Sequence, residues 1–188
     1  MKDIMDETIR RAIVSSPLGD LLLTTRDGRL AGVDLLEASA GCDPGDAPGT
    51  PVAVTAGGRG TRAAGPAGCR DSLLETRRQL ETYFAGRLRV FALPLGARGT
   101  PFQLQVWEAL RAIPYGVIVS YSELARRIGR PSAARAVGRA VGQNPLAIVV
   151  PCHRVVGAGG ALTGFAWGIE RKRWLLELEA AVGDASHP

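Results

Sequence analysis

The sequence is short of the residues that build several common protein classes. Its 188 residues contain three cysteines, Cys42, Cys69 and Cys152. They are odd in number and lack metal-ligand spacing, which argues against a disulfide framework and for a reducing, intracellular setting. Only two histidines occur, His153 and His187 near the C-terminal end, so any imidazole-dependent step falls to His153. No stretch is apolar enough over enough residues to span a bilayer, and the N-terminus has no signal-peptide pattern. A cytoplasmic protein without membrane contact is therefore expected. Lysine is confined to Lys2 and Lys172, so the positive charge is almost all arginine. With a net charge of +5, a polyanionic partner is expected.

The length suits one ordinary domain or two small ones with a real core. Residues 11–14, 20–25 and 29–34 read as short strands, separated by Ser16-Pro17-Leu18-Gly19 and by Asp27-Gly28, a strong hairpin signal. Residues 36–70 turn to Gly, Ala, Pro and Thr with almost no large apolar side chain, the composition of a disordered surface loop. Cys42 and Cys69 lie in it and receive no function. A helix is expected over 72–84, capped by Ser72 and Glu75 with Gly86 past its end, then an edge strand over 89–95 marked by Pro94. This first unit, residues 1–95, reads as a scaffold that carries no chemistry.

The second unit, residues 96–182, is mostly helical. Thr100, Pro101 and Gln103 have the order of a capped helix start, and Phe102, Val106, Leu110 and Ile113 share one face. Ser120 with Glu123 starts a second helix that Gly129 ends. Pro131-Ser132 introduces a third over 133–141, and the pair has helix-turn-helix spacing. Gln143-Asn144-Pro145 stops it. Residues 157–164 read as a Gly-rich turn or wing, and a last helix over 170–180 turns Trp174, Leu175 and Leu178 to the core.

Between them lies Val149-Val150-Pro151-Cys152-His153-Arg154-Val155-Val156. Pro151 fixes its own φ and removes a donor, so Cys152 sits at a rigid turn in an apolar run. A cysteine followed by an imidazole and a guanidinium has the parts of an activated nucleophile; read from the residues alone, an inert buried cysteine fits equally. By the same reading Glu179 is an exposed residue near a helix end and Arg135 a solvated helix arginine. A Cys152–His153 metal pair finds no further ligands, so neither metal nor cofactor is expected.

The Pro151-Cys152-His153-Arg154-Val155 string resembles the active-site signature of the O6-alkylguanine-DNA alkyltransferases (methylated-DNA–protein-cysteine methyltransferases). Further matching motifs are Val106-Trp107, Ile113-Pro114-Tyr115-Gly116, Ser120-Tyr121, Ala134-Arg135-Ala136-Val137-Gly138, Asn144-Pro145 and Arg171-Lys172 onward to Glu179. The resemblance implies an α+β protein: a small ribonuclease H-like α/β unit, then a helical, winged-helix-like DNA-binding domain. It implies irreversible transfer of an alkyl group from O6-alkylguanine in double-stranded DNA to Cys152, with O4-alkylthymine as a further candidate substrate. A monomer acting from the minor groove is the expected form.

The resemblance also implies roles. Glu179 holds His153, which deprotonates Cys152 through a water; Tyr121 and Asn144 complete the catalytic set. Tyr121 donates toward guanine N3 and the Ala166 amide toward O6, while the carbonyls of Cys152 and Val155 accept from the exocyclic amine. Phe165, Ala166, Trp167 and Val155 form the pocket, with Phe165 standing where most relatives carry tyrosine. The small residues Ala134, Ala136 and Gly138 let a helix approach DNA closely, and Arg135 fills the space of a flipped nucleotide. Two rival readings stay open from the sequence: a DNA-binding module or damage sensor without transfer, and a cysteine hydrolase.

Overall fold

The computed structural model describes residues 7–36 and 72–184, with side chains through residue 181. The expected loop over 36–70, apart from Leu36, lies outside the described residues, as do Cys42, Cys69 and His187.

Three strands, β1 (Ile9–Val14), β2 (Leu21–Arg26) and β3 (Arg29–Leu35), form an antiparallel meander in that order. Asp27 and Gly28 both have positive φ (48° and 73°), the conformation that lets a two-residue turn follow the strand twist. On β2, Leu21, Leu23 and Thr25 alternate inward and are buried. Helix α1 (Ser72–Phe84) covers that face with Leu73, Thr76, Leu80 and Tyr83, spaced by three and four residues.

The edge strand expected over 89–95 does not form as one. Only Leu95 makes a bridge, parallel to Leu30, flanked by bonds from Leu30 N–H to the Pro94 carbonyl and from Gly96 N–H to the Leu30 carbonyl. Upstream, a side chain does what a neighbouring strand would do: the Gln79 amide donates to the Ala92 carbonyl (3.1 Å) and accepts from its N–H (2.8 Å). Paired in this way, the Ala92 backbone needs no ladder.

The helical half opens with α2 (Pro101–Arg111), whose capping box forms as expected: Gln103 N–H donates to Thr100 Oγ1, and Gln103 Oε1 accepts from Thr100 N–H. Then come β4 (Val119–Ser120), α3 (Tyr121–Arg127) capped by Ser120, α4 (Ala134–Gly142), β5 (Val155–Val156) and α5 (Ile169–Asp184). Helices α3 and α4 pack as the helix-turn-helix pair. The Gly-rich stretch after β5 is a compact turn rather than a hairpin wing: Gly157 N–H closes on the Ala161 carbonyl at 2.7 Å, and β5 pairs in parallel with β4.

One apolar core runs through both halves, from Leu21 and Leu23 through Leu110 and Leu124 to Leu146 and Leu175. The seam is also stitched by backbone: Val33 N–H donates to the Pro145 carbonyl at 2.9 Å, and Val33 bridges Leu146. Arg171 on α5 donates to the carbonyls of Leu18 and Trp167. The sheet unit is therefore locked onto the segment that leads to Cys152.

Candidate active site

Chain from Leu146 to Val150 is fully buried and carries no regular structure until Cys152–Arg154 turns as a single 3-10 turn behind Pro151. Asn144 shapes the approach. Its side chain donates to the Val150 carbonyl (2.8 Å) and accepts from Leu146 N–H (3.0 Å), closing the loop that presents the cysteine.

Cys152 borders a cavity of about 280 Å³. Phe165, Ala166 and Trp167 form one wall, with the Phe165 and Trp167 rings edge-on at 5.8 Å. Asn144 and Ala147 supply another part of the lining, and Val33 and Asp34 of β3 complete it. The sheet unit thus contributes to the cavity lining through Val33 and Asp34. Val155 does not line it. That residue is fully buried, and its carbonyl accepts from Lys172 Nζ at 2.6 Å.

Burial pushes the Cys152 thiol up, opposed by the Asn144 amide, the Lys172 charge and nearby backbone amides. At rest the sulfur is therefore a thiol and needs a base. His153 is fully buried, and its Nε2 lies 3.0 Å from Glu179 Oε1, while Nδ1 has no hydrogen-bond partner among the described residues. Burial lowers the imidazole pKa, and the Glu179 carboxylate pulls it back up. A neutral imidazole bonded to a carboxylate through Nε2–H leaves Nδ1 as the acceptor.

Glu179, read from the residues as exposed, is fully buried. It accepts from Arg154 Nε and Nη2 (2.8 Å each), from Gly116 N–H (3.1 Å) and from the Tyr83 hydroxyl (2.8 Å), besides facing His153. Burial alone would raise its pKa; the donors from His153 and Arg154 overcome that and hold it at about 2. Read from the sequence, none of Arg154, Gly116 and Tyr83 has a role on Glu179, and Lys172 has none at the site. Lys172 is fully buried, and Nζ also donates to the carbonyls of Thr163 and Gly164, tying the cavity wall to β5.

Tyr121 sits at the junction of the helix pair and the cavity wall, its hydroxyl donating to the Thr163 carbonyl at 3.2 Å. Its ring faces Gly138, where an added Cβ would meet it at 3.6 Å. Gly138 therefore packs inward, and Ala134 is half-buried against the core. Arg135 and Ala136 are exposed. They line a surface groove of about 570 Å³ with Phe102 and Arg139. Among the described residues no group of three His, Cys, Asp or Glu side chains is placed to hold a metal, and no helix is long and apolar enough to cross a membrane.

Two family models match the chain: 6-O-methylguanine DNA methyltransferase, ribonuclease-like domain, over residues 9–97, and 6-O-methylguanine DNA methyltransferase, DNA binding domain, over residues 101–181. A methylated-DNA–protein-cysteine methyltransferase of Mycobacterium tuberculosis is 62% identical over 107 residues, 57% of this chain and 65% of that protein. One from Salmonella typhimurium is 53% identical over 118 residues, 62% of this chain and 65% of that protein. The matched segment thus spans just under two thirds of these relatives. The crystal structure of Mycobacterium tuberculosis O6-methylguanine methyltransferase superposes with a TM-score of 0.71 at 41% identity, covering 93% of this chain and 94% of that one. The same organism's protein in complex with DNA gives 0.70 at 43% identity, covering 90% and 92%.

Proposed function

Because this chain belongs to the 6-O-methylguanine DNA methyltransferase family, we propose that it repairs O6-alkylguanine in DNA by moving the alkyl group irreversibly to Cys152. The observation that carries the reading is the thiol at the edge of a cavity walled by Phe165 and Trp167, next in the chain to an imidazole held by a buried carboxylate through Nε2.

His153 takes the thiol proton at Nδ1 through a water, and Glu179 stabilises the imidazolium that results. The thiolate attacks the carbon on guanine O6 in line with the leaving oxygen. A sulfur–carbon bond forms, the carbon–oxygen bond breaks, and the electron pair passes to the guanine ring. Tyr121 Oη gives its proton to N3 while the Ala166 amide hydrogen-bonds O6, so guanine departs neutral, and the phenolate left on Tyr121 regains a proton from the His153 imidazolium through water. For this the Tyr121 hydroxyl turns away from the carbonyls of Thr163 and Gly164, and burial keeps it protonated and able to donate. The carbonyl of Cys152, at the cavity's edge, accepts from the exocyclic amine; Val155 lies outside the cavity, and its carbonyl instead holds Lys172. Phe165 and Trp167 supply the apolar wall, and Phe165 does so without a hydroxyl. The product is a thioether, a poor leaving group, so each molecule acts once.

The partner is double-stranded DNA, bound by a monomer from the minor-groove side. The target carbon is inaccessible within a duplex, so the nucleotide must swing out. Exposed Arg135 on α4 is suited to fill the space it leaves, with exposed Ala136 allowing close approach. A DNA complex of a 43% identical relative supports the same partner here.

The test is intact-protein mass spectrometry after mixing with duplex DNA carrying O6-methylguanine. The proposal predicts a permanent gain of one methyl group in place of a proton, saturating at one per protein. No gain refutes transfer, and continued turnover without gain points to hydrolysis.

A further inference from the structure

The Tyr83 hydroxyl has no part in the transfer described above, yet among the described residues of the N-terminal unit it is the group that touches the catalytic carboxylate. It crosses from α1 to α5 and donates to Glu179 Oε1 at 2.8 Å, in a region closed to solvent. We propose that Tyr83 is a positioning residue for alkyl transfer: its hydroxyl competes with His153 for the same Glu179 oxygen and so sets how strongly the carboxylate draws on the imidazole. The inference rests on the functional reading given above.

The geometry separates charge from shape. A carboxylate offers about four lone-pair sites. Here Oε1 faces Tyr83, His153 and Arg154 Nη2, while Oε2 faces Arg154 Nε and Gly116 N–H. Arg154 spans both oxygens and Gly116 anchors the second, so the carboxylate plane is held without Tyr83. What Tyr83 adds is a third donor on the oxygen that serves His153. Burial and the adjacent Glu179 charge push the Tyr83 phenol well up, so it remains a donor throughout the working pH range. Its ring fills a separate role, packing on Phe84, Phe91 and Tyr115.

Removing the hydroxyl alone leaves that packing and concentrates negative charge on Oε1 toward His153 Nε2. The imidazolium is then favoured, and His153 keeps its proton to higher pH. Other ionisable groups facing the relay stay in place: Arg154 and Cys152 on the same turn, Lys172 on α5, and Tyr115 between α2 and β4, which is overlain by Arg89. Arg154 and Lys172 both oppose imidazolium formation. The phenol thus adds to a set of groups that keep His153 available as a base, from the half of the protein that carries none of the transfer chemistry.

The test compares the full-length protein with Tyr83→Phe, following alkyl uptake from free O6-benzylguanine across pH, a substrate that needs no base flipping. The acid limb of the rate profile should move up by about half to one pH unit in Tyr83→Phe, with the high-pH rate largely kept. Site-specific replacement of Tyr83 by 3-fluorotyrosine preserves shape, strengthens the donor and should move the limb down. This second variant keeps the question answerable if Tyr83→Phe folds poorly. Unchanged or oppositely moved limbs, with only thermal stability altered, would reduce Tyr83 to a core residue. A wild-type protein that takes up no alkyl group from O6-methylguanine DNA or the free base would instead overturn the functional reading on which this inference stands.

Discussion

Arg154 and Glu179 meet in a two-point ion pair, Nε to Oε2 and Nη2 to Oε1 at 2.8 Å each, with side chains 6% and 0% exposed. Arg154 Nη1 donates in addition to the Ile113 carbonyl at 2.6 Å. A buried pair of this kind is costly to break because the survivor is left charged without water. Arg154→Met should therefore destabilise the fold by about 3–5 kcal/mol. Arg154→Lys should rescue little, since an ammonium cannot span both oxygens. Urea denaturation midpoints check both; a near-neutral Arg154→Met would mean that Tyr83, Gly116 and His153 suffice to hold the carboxylate.

The same cluster fixes the sign of the pH dependence. Both Glu179 and His153 have folded pKa values below their ordinary ones, 4.5 falling to about 2 for the acid and 6.5 lowered for the imidazole. Each stabilises the fold fully above its unfolded value and loses that contribution as pH falls. Stability should decline as pH drops below 6.5, where burial disfavours imidazolium, and again from 4.5 toward 2 as Glu179 is protonated. Thermal unfolding measured from pH 8 to 3 should show this loss, and Glu179→Gln should flatten its lower part. Stability rising on acidification would contradict the assignment.

Phe165 is half-buried, lines the cavity and stacks edge-on against Trp167. Phe165→Tyr should change affinity for guanine analogues more than it changes stability, because it adds only a hydroxyl at the wall. Binding titrations beside thermal melts separate the two. Unaltered binding with a large loss of stability would make Phe165 a core residue.

Arg135 on α4 is exposed and makes no ion pair among the described residues. If it serves base extrusion, Arg135→Ala should slow transfer strongly on duplex DNA, less on single strands, and hardly at all on free O6-benzylguanine. Flipping out of a duplex costs about a few kcal/mol, and less where the base is unpaired. Rates at saturating DNA remove the effect of weaker binding. Equal slowing on all three substrates would assign Arg135 to the structure of the site.

Local signals in the sequence carried the local structure. Thr100, Pro101 and Gln103 announced α2, Asp27-Gly28 the hairpin, and Pro151 the turn that presents Cys152. Long-range partners were not legible. Glu179 looks like a solvated helix-end residue until Tyr83, 96 positions away, and Gly116, 63 away, are folded against it. Nothing in the sequence around Lys172 announces the carbonyls of Val155 and Thr163 that its ammonium holds. The strand expected over 89–95 failed for a related reason: pairing by the Gln79 side chain leaves no period in the sequence. The resemblance supplied the Glu179–His153 contact; it did not supply the phenol from the first unit.

The central claim is that Cys152 alone receives the alkyl group, and peptide mapping of the reacted protein tests it most directly. After incubation with isotope-labelled O6-methylguanine duplex DNA, all label should lie on the peptide containing Cys152 and His153. Cys152→Ala should take up none while still binding DNA, because Arg135 and Ala136 lie outside the cavity that Cys152 borders. Label on Cys42 or Cys69, or undiminished uptake by Cys152→Ala, would contradict the account.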